Sequence, residues 1–217
     1  MSLSESITPL DDEYRDTLEY CGRTFHKYSL ETGTYFAPVD EEEIERLELM
    51  HNVLSKVFDN RLIFPPMPAP RKILDCGCGA ANWAVDVAEQ YPDCEVLGID
   101  VSPHMLPEHP PRNFDFQIDD LNARFTFPGN SFDLVHSQMV AGGVHAKPRD
   151  ERIGRANREN IKELLATASL YPLTEQMKIP MEEYEQLISR ARDEAGDPVL
   201  KAYFPLYVFI GRKPTTR

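Results

Sequence analysis

A short apolar run followed by a glycine-containing turn constrains the fold of this chain more than any other feature. Ile73-Leu74-Asp75 is followed by Cys76-Gly77-Cys78-Gly79, and a segment of helical periodicity begins at Asn82. A strand, a tight turn and a helix in this order are typical of a parallel βαβ unit. Gly77 and Gly79 let the backbone turn sharply and approach a ligand closely. The N–H groups at the start of the helix point at the same loop, so the sequence predicts a ligand site there.

The residues after this loop continue the alternation of strands and helices. The predicted strands are Lys72–Asp75, Glu95–Asp100, Phe114–Ile118, Phe132–Ser137, Glu175–Ile179 and Tyr203–Ile210. The predicted helices are Asn82–Tyr91, Asn157–Ala168 and Met181–Ala195, besides one that Asp40 opens as N-cap with Glu43 at the capping-box position. Residues 65–70 contain four prolines and predict a rigid linker. We expect an N-terminal helical lobe (1–64) and an α/β, Rossmann-like domain (71–217) with a mostly parallel sheet and an incomplete C-terminal half.

Acidic side chains follow the predicted strands at the points where these strands end. Asp75 closes the first strand, Asp100 closes the second, and Asp119 and Asp120 follow the third. The carboxyl ends of parallel strands meet at one edge of a sheet, where ligands of open α/β sheets bind. A carboxylate in the place of Asp100 accepts hydrogen bonds from both hydroxyls of a ribose. We therefore expect a nucleoside ligand, with its adenine amino group near Asp119 and Asp120.

Two classes of nucleoside cofactor bind to loops of this kind, dinucleotides and S-adenosylmethionine. A dinucleotide-binding loop has a third glycine at the position that Asn82 occupies here. A short-chain dehydrogenase also needs Tyr-x-x-x-Lys, and none of the nine tyrosines has a lysine four residues later. S-adenosylmethionine has a cationic sulfonium and ammonium but no pyrophosphate, so the acidic residues favour it. A nicotinamide oxidoreductase is the disfavoured alternative.

The net charge argues against several classes of partner. The chain has 23 basic and 36 acidic residues, a net charge of −13, whereas a protein that binds nucleic-acid phosphates needs clustered basic surface. The same charge disfavours anionic membranes, and no apolar run approaches the roughly 20 residues of a membrane span. Four cysteines are too few for a disulfide scaffold, and one C-x-C pair is too little for a metal site. We expect a cytoplasmic or nuclear protein with no direct nucleic-acid, membrane or metal partner.

Several motifs occur together around the loop and at both ends of the chain. They are Asp75-Cys-Gly-Cys-Gly with Trp83-Ala84, Gly98-Ile-Asp-Val-Ser102-Pro103, Asp119-Asp120, Phe127-Pro-x-Asn130-Ser131-Phe132-Asp133, Gly22-Arg23-x-Phe25-His26, Asp40-Glu-Glu-Glu43 and Ala202-Tyr203-Phe204-Pro205. With these motifs the chain resembles class I S-adenosylmethionine-dependent methyltransferases, and more narrowly the fungal family of the secondary-metabolism regulator LaeA. The resemblance covers most of residues 20–147 and again 158–214.

The resemblance implies a cofactor, a site and an activity. The implied cofactor is S-adenosyl-L-methionine. The residues implied to line its site are Asp75, Gly77, Cys78, Gly79, Asp100, Val101, Asp119, Asp120 and Ser137. The implied activity is methyl transfer to a small molecule of fungal secondary metabolism, or a LaeA-like regulatory role with a protein partner. The alternative is a catalytically impaired, shortened relative that binds the cofactor or a partner without turnover.

Two departures from the family pattern bear on activity. Ala81 stands where the loop usually has glycine, and we expect the site to tolerate the added methyl. After His145 the family continues with a helix and a fifth strand introduced by Leu-x-Pro-Gly-Gly, a turn that this chain lacks; a second stretch is missing after Pro180. A crossover unit takes about 30 residues, so the C-terminal half is internally shortened. We expect unpaired strand edges, unless the final strand moves to pair with Phe132–Ser137.

The sequence does not identify a catalytic residue. Methyl transfer from a sulfonium depends mainly on positioning, and only some acceptors need a general base. His145, beside Gly142-Gly143, is the one candidate for that base, and His136 is more typical of a packed side chain. His26 and Tyr28 cap the cofactor in one interpretation and pack an aromatic cluster in the other.

Overall fold

A β-hairpin and two helices precede the proline-rich segment. The structure is a computed structural model that describes residues 12–67, 69–139, 151–196 and 208–213. A 3-10 turn (Asp12–Arg15) leads into antiparallel strands β1 (Thr17–Tyr20) and β2 (Arg23–His26), followed by helices α1 (Lys27–Thr32) and α2 (Glu41–Val57). The hairpin corrects the expectation of a purely helical lobe. Its strands have four residues each and β1 is largely exposed, so they leave no alternation of apolar residues in the sequence.

The N-terminus of α2 confirms half of the predicted capping box. The Asp40 side chain accepts a hydrogen bond from the Glu43 backbone N–H at 3.1 Å, as an N-cap does. The Glu43 carboxylate does not complete the box; it is fully buried and accepts hydrogen bonds from the Arg46 guanidinium at 2.6 and 2.8 Å. Asp40 also accepts hydrogen bonds from Arg23, which join the helix start to β2.

A parallel four-stranded sheet follows the proline-rich segment and gives the chain an α/β, Rossmann-like fold. Its strands are β3 (Lys72–Cys76), β4 (Glu95–Asp100), β5 (Phe114–Ile118) and β6 (Leu134–Ser137), in the order β5-β4-β3-β6. Helix α3 (Asn82–Gln90) connects β3 to β4, so the predicted βαβ unit is confirmed. Because all four strands are parallel, their carboxyl ends lie along one edge of the sheet.

Helix α3 covers one face of this sheet and forms its main core. Trp83, Ala84 and Val87 of the helix are buried together with Ile73 and Val96 of the sheet. This helical stripe is the one that the sequence indicates, and its burial fixes the orientation of the loop that precedes the helix. On the other face, Leu74, Cys76 and Ile99 pack with the side chains of Phe127 and Phe132.

The two C-terminal helices pack on the N-terminal elements. Helix α4 (Glu151–Tyr171) contacts α2, continues into a π-helical turn (Pro172–Gln176), and is followed by α5 (Met181–Gly196). Both helices were predicted, but the strand expected at Glu175–Ile179 is wrong. Leu173 and Ile179 pack beside a buried cluster of Phe25, Leu30, Leu170, Tyr184 and Ile188. The apolar residues of this segment are therefore buried on a helical turn that continues α4, and not on a strand.

In the described part of the chain the sheet ends at β6, and no other strand pairs with its outer edge. The expected unpaired edge stays a prediction, because residues 140–150 and 197–207 lie outside the described part of the chain. The predicted final strand, Tyr203–Ile210, lies outside the described residues up to position 207, and positions 208–210 have no regular secondary structure. Among the described residues, no helix combines the length and apolarity needed to span a membrane.

Candidate cofactor site

The glycine loop between β3 and α3 is bound to the neighbouring strand. Gly77 and Gly79 have φ angles of 72° and 54°, a left-handed conformation that glycine adopts without strain. The backbone N–H groups of Gly77 and Cys78 donate to the Ile99 carbonyl oxygen at 2.8 and 3.1 Å. The loop therefore lies across the carboxyl end of β4, as the sequence predicts.

Asp100 binds the same loop through its side chain. One carboxylate oxygen accepts the Gly79 N–H at 2.9 Å, and the other accepts the Ser102 N–H at 3.0 Å. Burial raises the pKa of Asp100, the N–H donors of Ser102, Gly79 and Val101 oppose this rise, and the nearby Asp75 charge adds to it. Each carboxylate oxygen has two lone pairs, so Asp100 retains acceptor capacity for a ligand.

Asp119 lies next to Asp100 at the end of β5. Its backbone N–H donates to the Asp100 carbonyl oxygen at 3.0 Å. Among the described residues, its Oδ2 atom is buried without a hydrogen-bond partner, and burial raises the pKa of the Asp119 carboxyl group. Buried polar atoms are normally satisfied, so this oxygen is suited to a donor from a ligand. The Asp120 carboxylate instead accepts two hydrogen bonds from Asn122.

Asp75 is more deeply buried than Asp100, Asp119 and Asp120 and has a protein partner. Its Oδ1 atom lies 2.8 Å from Nδ1 of His136, the residue beside it on β6. The His136 ring stacks on Trp83, with ring centroids 3.5 Å apart and planes 10° apart, and the Trp83 indole N–H donates to the Leu62 carbonyl oxygen at 3.1 Å. His136 is therefore a packed side chain, as the sequence indicates, and Trp83 packs against it.

Ala81 occupies a position where glycine is the unstrained residue. It is the N-cap of α3, with a φ angle of 60°, and it is fully buried. A left-handed conformation costs a residue with a Cβ atom roughly 1–2 kcal/mol. The alanine therefore adds strain to the loop, while the loop keeps its hydrogen bonds to β4.

The two cysteines of the loop region are protonated thiols at neutral pH. Burial raises the pKa of Cys76 to about 11, and the Asp75 and Asp119 charges contribute. Burial likewise raises the pKa of Cys78, together with the Asp100 and Asp75 charges. A nucleophilic cysteine needs a lowered pKa, so neither residue is a candidate nucleophile.

All nine residues implied to line the site lie at the carboxyl edge of the sheet. They are Asp75 near the end of β3 with Gly77, Cys78 and Gly79 after it, Asp100 at the end of β4 with Val101 after it, Asp119 and Asp120 after β5, and Ser137 at the end of β6. The Ser137 hydroxyl donates to the Cys76 carbonyl oxygen at 3.1 Å and so ties β6 to β3. The candidate base His145 lies outside the described residues.

The N-terminal segment also lies near this edge, because Nε2 of His104, a residue that follows β4, lies 3.0 Å from the Arg15 carbonyl oxygen. His26 is 1% exposed, and its ring nitrogens lie 2.7 Å from Ser29 Oγ and 2.8 Å from the Tyr14 carbonyl oxygen. The Tyr14 ring packs against Tyr28 at a tilt of 37°, with centroids 4.4 Å apart. His26 and Tyr28 therefore pack in an aromatic cluster, and the contact of Tyr14 with distant residues has no local sequence signal.

Residues 73–159 match the family model described as a methyltransferase domain. The chain is 41% identical over 130 residues to the secondary metabolism regulator laeA of Aspergillus fumigatus, a match that covers 58% of this chain and 34% of that protein. It is 37% identical over 150 residues to the protein-methionine methyltransferase laeA of Emericella nidulans, covering 67% and 39% of the two chains. A secondary metabolism regulator of Cochliobolus heterostrophus is 35% identical over 133 residues, covering 58% and 42%.

The chain resembles the LaeA-like methyltransferases. This similarity confirms the resemblance to class I S-adenosylmethionine-dependent methyltransferases on which the sequence analysis relies. The matched part of the chain spans about a third of the length of these curated relatives. It includes the whole glycine loop and the strands β3 to β6.

Proposed function

We propose that the chain is an S-adenosylmethionine-dependent methyltransferase of fungal secondary metabolism. Two independent lines support the proposal. The first is the similarity to the LaeA proteins and to the methyltransferase domain over residues 73–159. The second is the edge of the sheet where the glycine loop and the carboxyl ends of three further strands meet.

The side chains present fit this cofactor. Burial raises the pKa values of Asp100 and Asp119, which means that their negative charges are poorly solvated there. A cationic ligand stabilises such charges. The observation that carries the proposal is the Asp119 Oδ2 atom, a buried acceptor without a partner in the described part of the chain, to which an adenine amino group donates well.

Each acidic residue has a role in this proposal. Asp100 accepts the ribose hydroxyls while it keeps the loop in place, and Asp119 accepts the adenine amino group. Asp75 attracts the cationic end of the cofactor through its charge, with its carboxylate oriented by His136. The cofactor, when bound, supplies a methyl group on a sulfonium, and the protein supplies position and exclusion of water.

The acceptor and the biological role follow from the similarity alone. We propose a small-molecule acceptor, and a LaeA-like regulatory role with a protein partner as the second form of the same function. His145 stays the candidate for a general base. The four cysteines are all free thiols, which favours a reducing compartment, the cytoplasm or the nucleus.

A second candidate is a cofactor-binding relative without turnover. One observation favours it: the family continues after the fourth strand with a fifth strand introduced by Leu-x-Pro-Gly-Gly, a turn that this chain lacks. Cofactor binding that occurs without transfer to any candidate acceptor would favour this second function.

Calorimetric titration with S-adenosylhomocysteine tests the site. We expect binding by the unmodified protein, and a loss of about tenfold or more in affinity in Asp119→Asn, because a hydrogen bond to a charged group contributes about 1.5–3 kcal/mol. Asp115→Asn is the matched control, since Asp115 lies on the same strand with an exposed side chain. Absence of heat with the unmodified protein would refute the proposal, and equal losses in both variants would refute the role of Asp119.

A further inference from the structure

The N-terminal turn is hydrogen-bonded to two histidines, and one of them, His104, connects it to the candidate cofactor site. The turn is the 3-10 segment Asp12–Arg15. The Nε2 atom of His26 lies 2.8 Å from the Tyr14 carbonyl oxygen, and the Nε2 atom of His104 lies 3.0 Å from the Arg15 carbonyl oxygen. A carbonyl oxygen only accepts, so both Nε2 atoms must carry a proton.

The other ring nitrogens complete the same arrangement. Nδ1 of His26 lies 2.7 Å from Ser29 Oγ, and Nδ1 of His104 lies 3.1 Å from Ser102 Oγ. In the neutral tautomer with Nε2 protonated, each histidine accepts from a serine hydroxyl and donates to the turn. The two rings lie 5.2 Å apart. We call this pair, His26 and His104, the histidine clasp.

The clasp connects the turn to the residue proposed to hold the ribose. His104 bonds to the Ser102 side chain, and the Ser102 backbone N–H donates to Asp100 Oδ1 at 3.0 Å. One continuous chain of hydrogen bonds thus runs from the Arg15 carbonyl oxygen to the Asp100 carboxylate. The turn is therefore fixed relative to the carboxyl end of β4.

Tyr14 is the aromatic residue that this turn presents. Its ring is half-buried, and it packs against Tyr28 with centroids 4.4 Å apart. Burial raises the pKa of Tyr14, Tyr28 adds to the rise, and so do the charges of Asp120 and Asp119. The Tyr14 ring also lies 5.5 Å from the His26 ring, measured between the centroids, so the histidine clasp holds the turn that carries this ring at the carboxyl end of β4.

We propose that Tyr14 is the aromatic wall of the adenosine site and that the histidine clasp positions it there. The inference rests on the proposed function and deepens it, since it assigns the recognition of the base to a residue far from the glycine loop in sequence. Aromatic side chains bind nucleobases by stacking, which contributes about 1–3 kcal/mol per base. A flat aromatic ring is required for that contact, whereas the hydroxyl is not.

Titration of Tyr14→Phe and Tyr14→Leu with S-adenosylhomocysteine tests whether the Tyr14 ring contacts the adenosine. We expect Tyr14→Phe to bind like the unmodified protein and Tyr14→Leu to lose about tenfold in affinity, which corresponds to 1.4 kcal/mol. Leucine keeps apolar bulk, so a residue needed only for packing would tolerate it as well as phenylalanine. Equal affinities of Tyr14→Phe and Tyr14→Leu would overturn the proposal, and melting temperatures of the ligand-free variants show whether both fold.

The third variant, His104→Ala, tests the clasp without changing the wall. We expect weaker binding of S-adenosylhomocysteine and an unchanged affinity in His109→Ala, an exposed histidine five residues later. Unchanged affinity in His104→Ala would overturn the positioning role. If the unmodified protein does not bind, the proposed function fails; if it binds and these variants bind equally well, only this inference fails.

Discussion

Gly98 lies in the middle of β4, where the strand passes directly under the glycine loop. A Cβ atom at this position would lie 2.9 Å from the Cys78 sulfur and 3.1 Å from the Phe114 ring. We expect Gly98→Ala to destabilise the protein by about 1–3 kcal/mol, because overpacking a close contact forces neighbours to move. Thermal melts measure the loss. Gly129→Ala is the control, since a Cβ there meets no atom within 4 Å; a similar loss in both would contradict the explanation.

The ionisation of Asp119 makes stability depend on pH. Burial raises its folded-state pKa above the unfolded value, so the folded protein binds this proton more tightly and the stabilisation is lost as the pH rises through the folded pKa. We expect Asp119→Asn without ligand to melt at a higher temperature than the unmodified protein at neutral pH. The difference should shrink as the pH falls below the raised pKa. A difference that is independent of pH, or a less stable variant at neutral pH, would contradict this assignment.

At the scale of elements, a buried ion pair within α2 is hydrogen-bonded to α4. Arg46 donates to the fully buried Glu43 carboxylate and to the Asn160 side chain oxygen, at 3.1 Å in the second case. We expect Arg46→Ala to cost about 3–5 kcal/mol in unfolding free energy, because it leaves Glu43 charged and unpaired. Urea titration measures this loss, with the exposed Glu45→Ala as control. The double variant Glu43→Leu, Arg46→Met should recover much of the stability, and a double variant as unstable as Arg46→Ala would refute the explanation.

The sequence predicts best those elements whose buried residues are close together in the chain. Strands β4 and β5 were predicted with their observed bounds, because Val96 and Phe114 belong to apolar runs that end in acidic residues. The hairpin and the π-helical turn were missed, since both are held by distant contacts. Tyr20 of β1, for example, donates to Thr174 Oγ1 at 2.9 Å across 154 residues.

The same distinction applies to the candidate site, where features formed by neighbouring residues are predicted and contacts between distant residues are not. The glycine loop and Asp100 follow from spacing, because strand, turn and helix are adjacent in the chain. The partner of Asp75 does not, since His136 comes from a strand 61 residues later. Nor does the position of Tyr14, which depends on hydrogen bonds from His26 and His104.

At the scale of the whole molecule, three buried clusters contain residues from both sides of the proline-rich segment. Phe25 and Leu30 are buried with Leu170, Tyr184 and Ile188 of the C-terminal helices. The separation of the chain into two domains at residues 65–70 stays a prediction. The buried contacts show that the two parts pack against each other. If one of the two parts is removed, the apolar side chains that the other part contributes to such a cluster become exposed to solvent.

We therefore expect residues 71–217 to fold poorly without residues 1–70. The fragment loses the partners of α4 and α5, and Trp83 loses the Leu62 carbonyl that accepts its indole N–H. Trp83 is the single tryptophan of the chain, so its fluorescence reports directly on this boundary. The fragment should show a broad thermal transition, red-shifted tryptophan emission and binding of a hydrophobic dye, and added 1–70 peptide should reverse these changes. A cooperative melt of the isolated fragment at the temperature of the full chain would show that 71–217 is an independent domain.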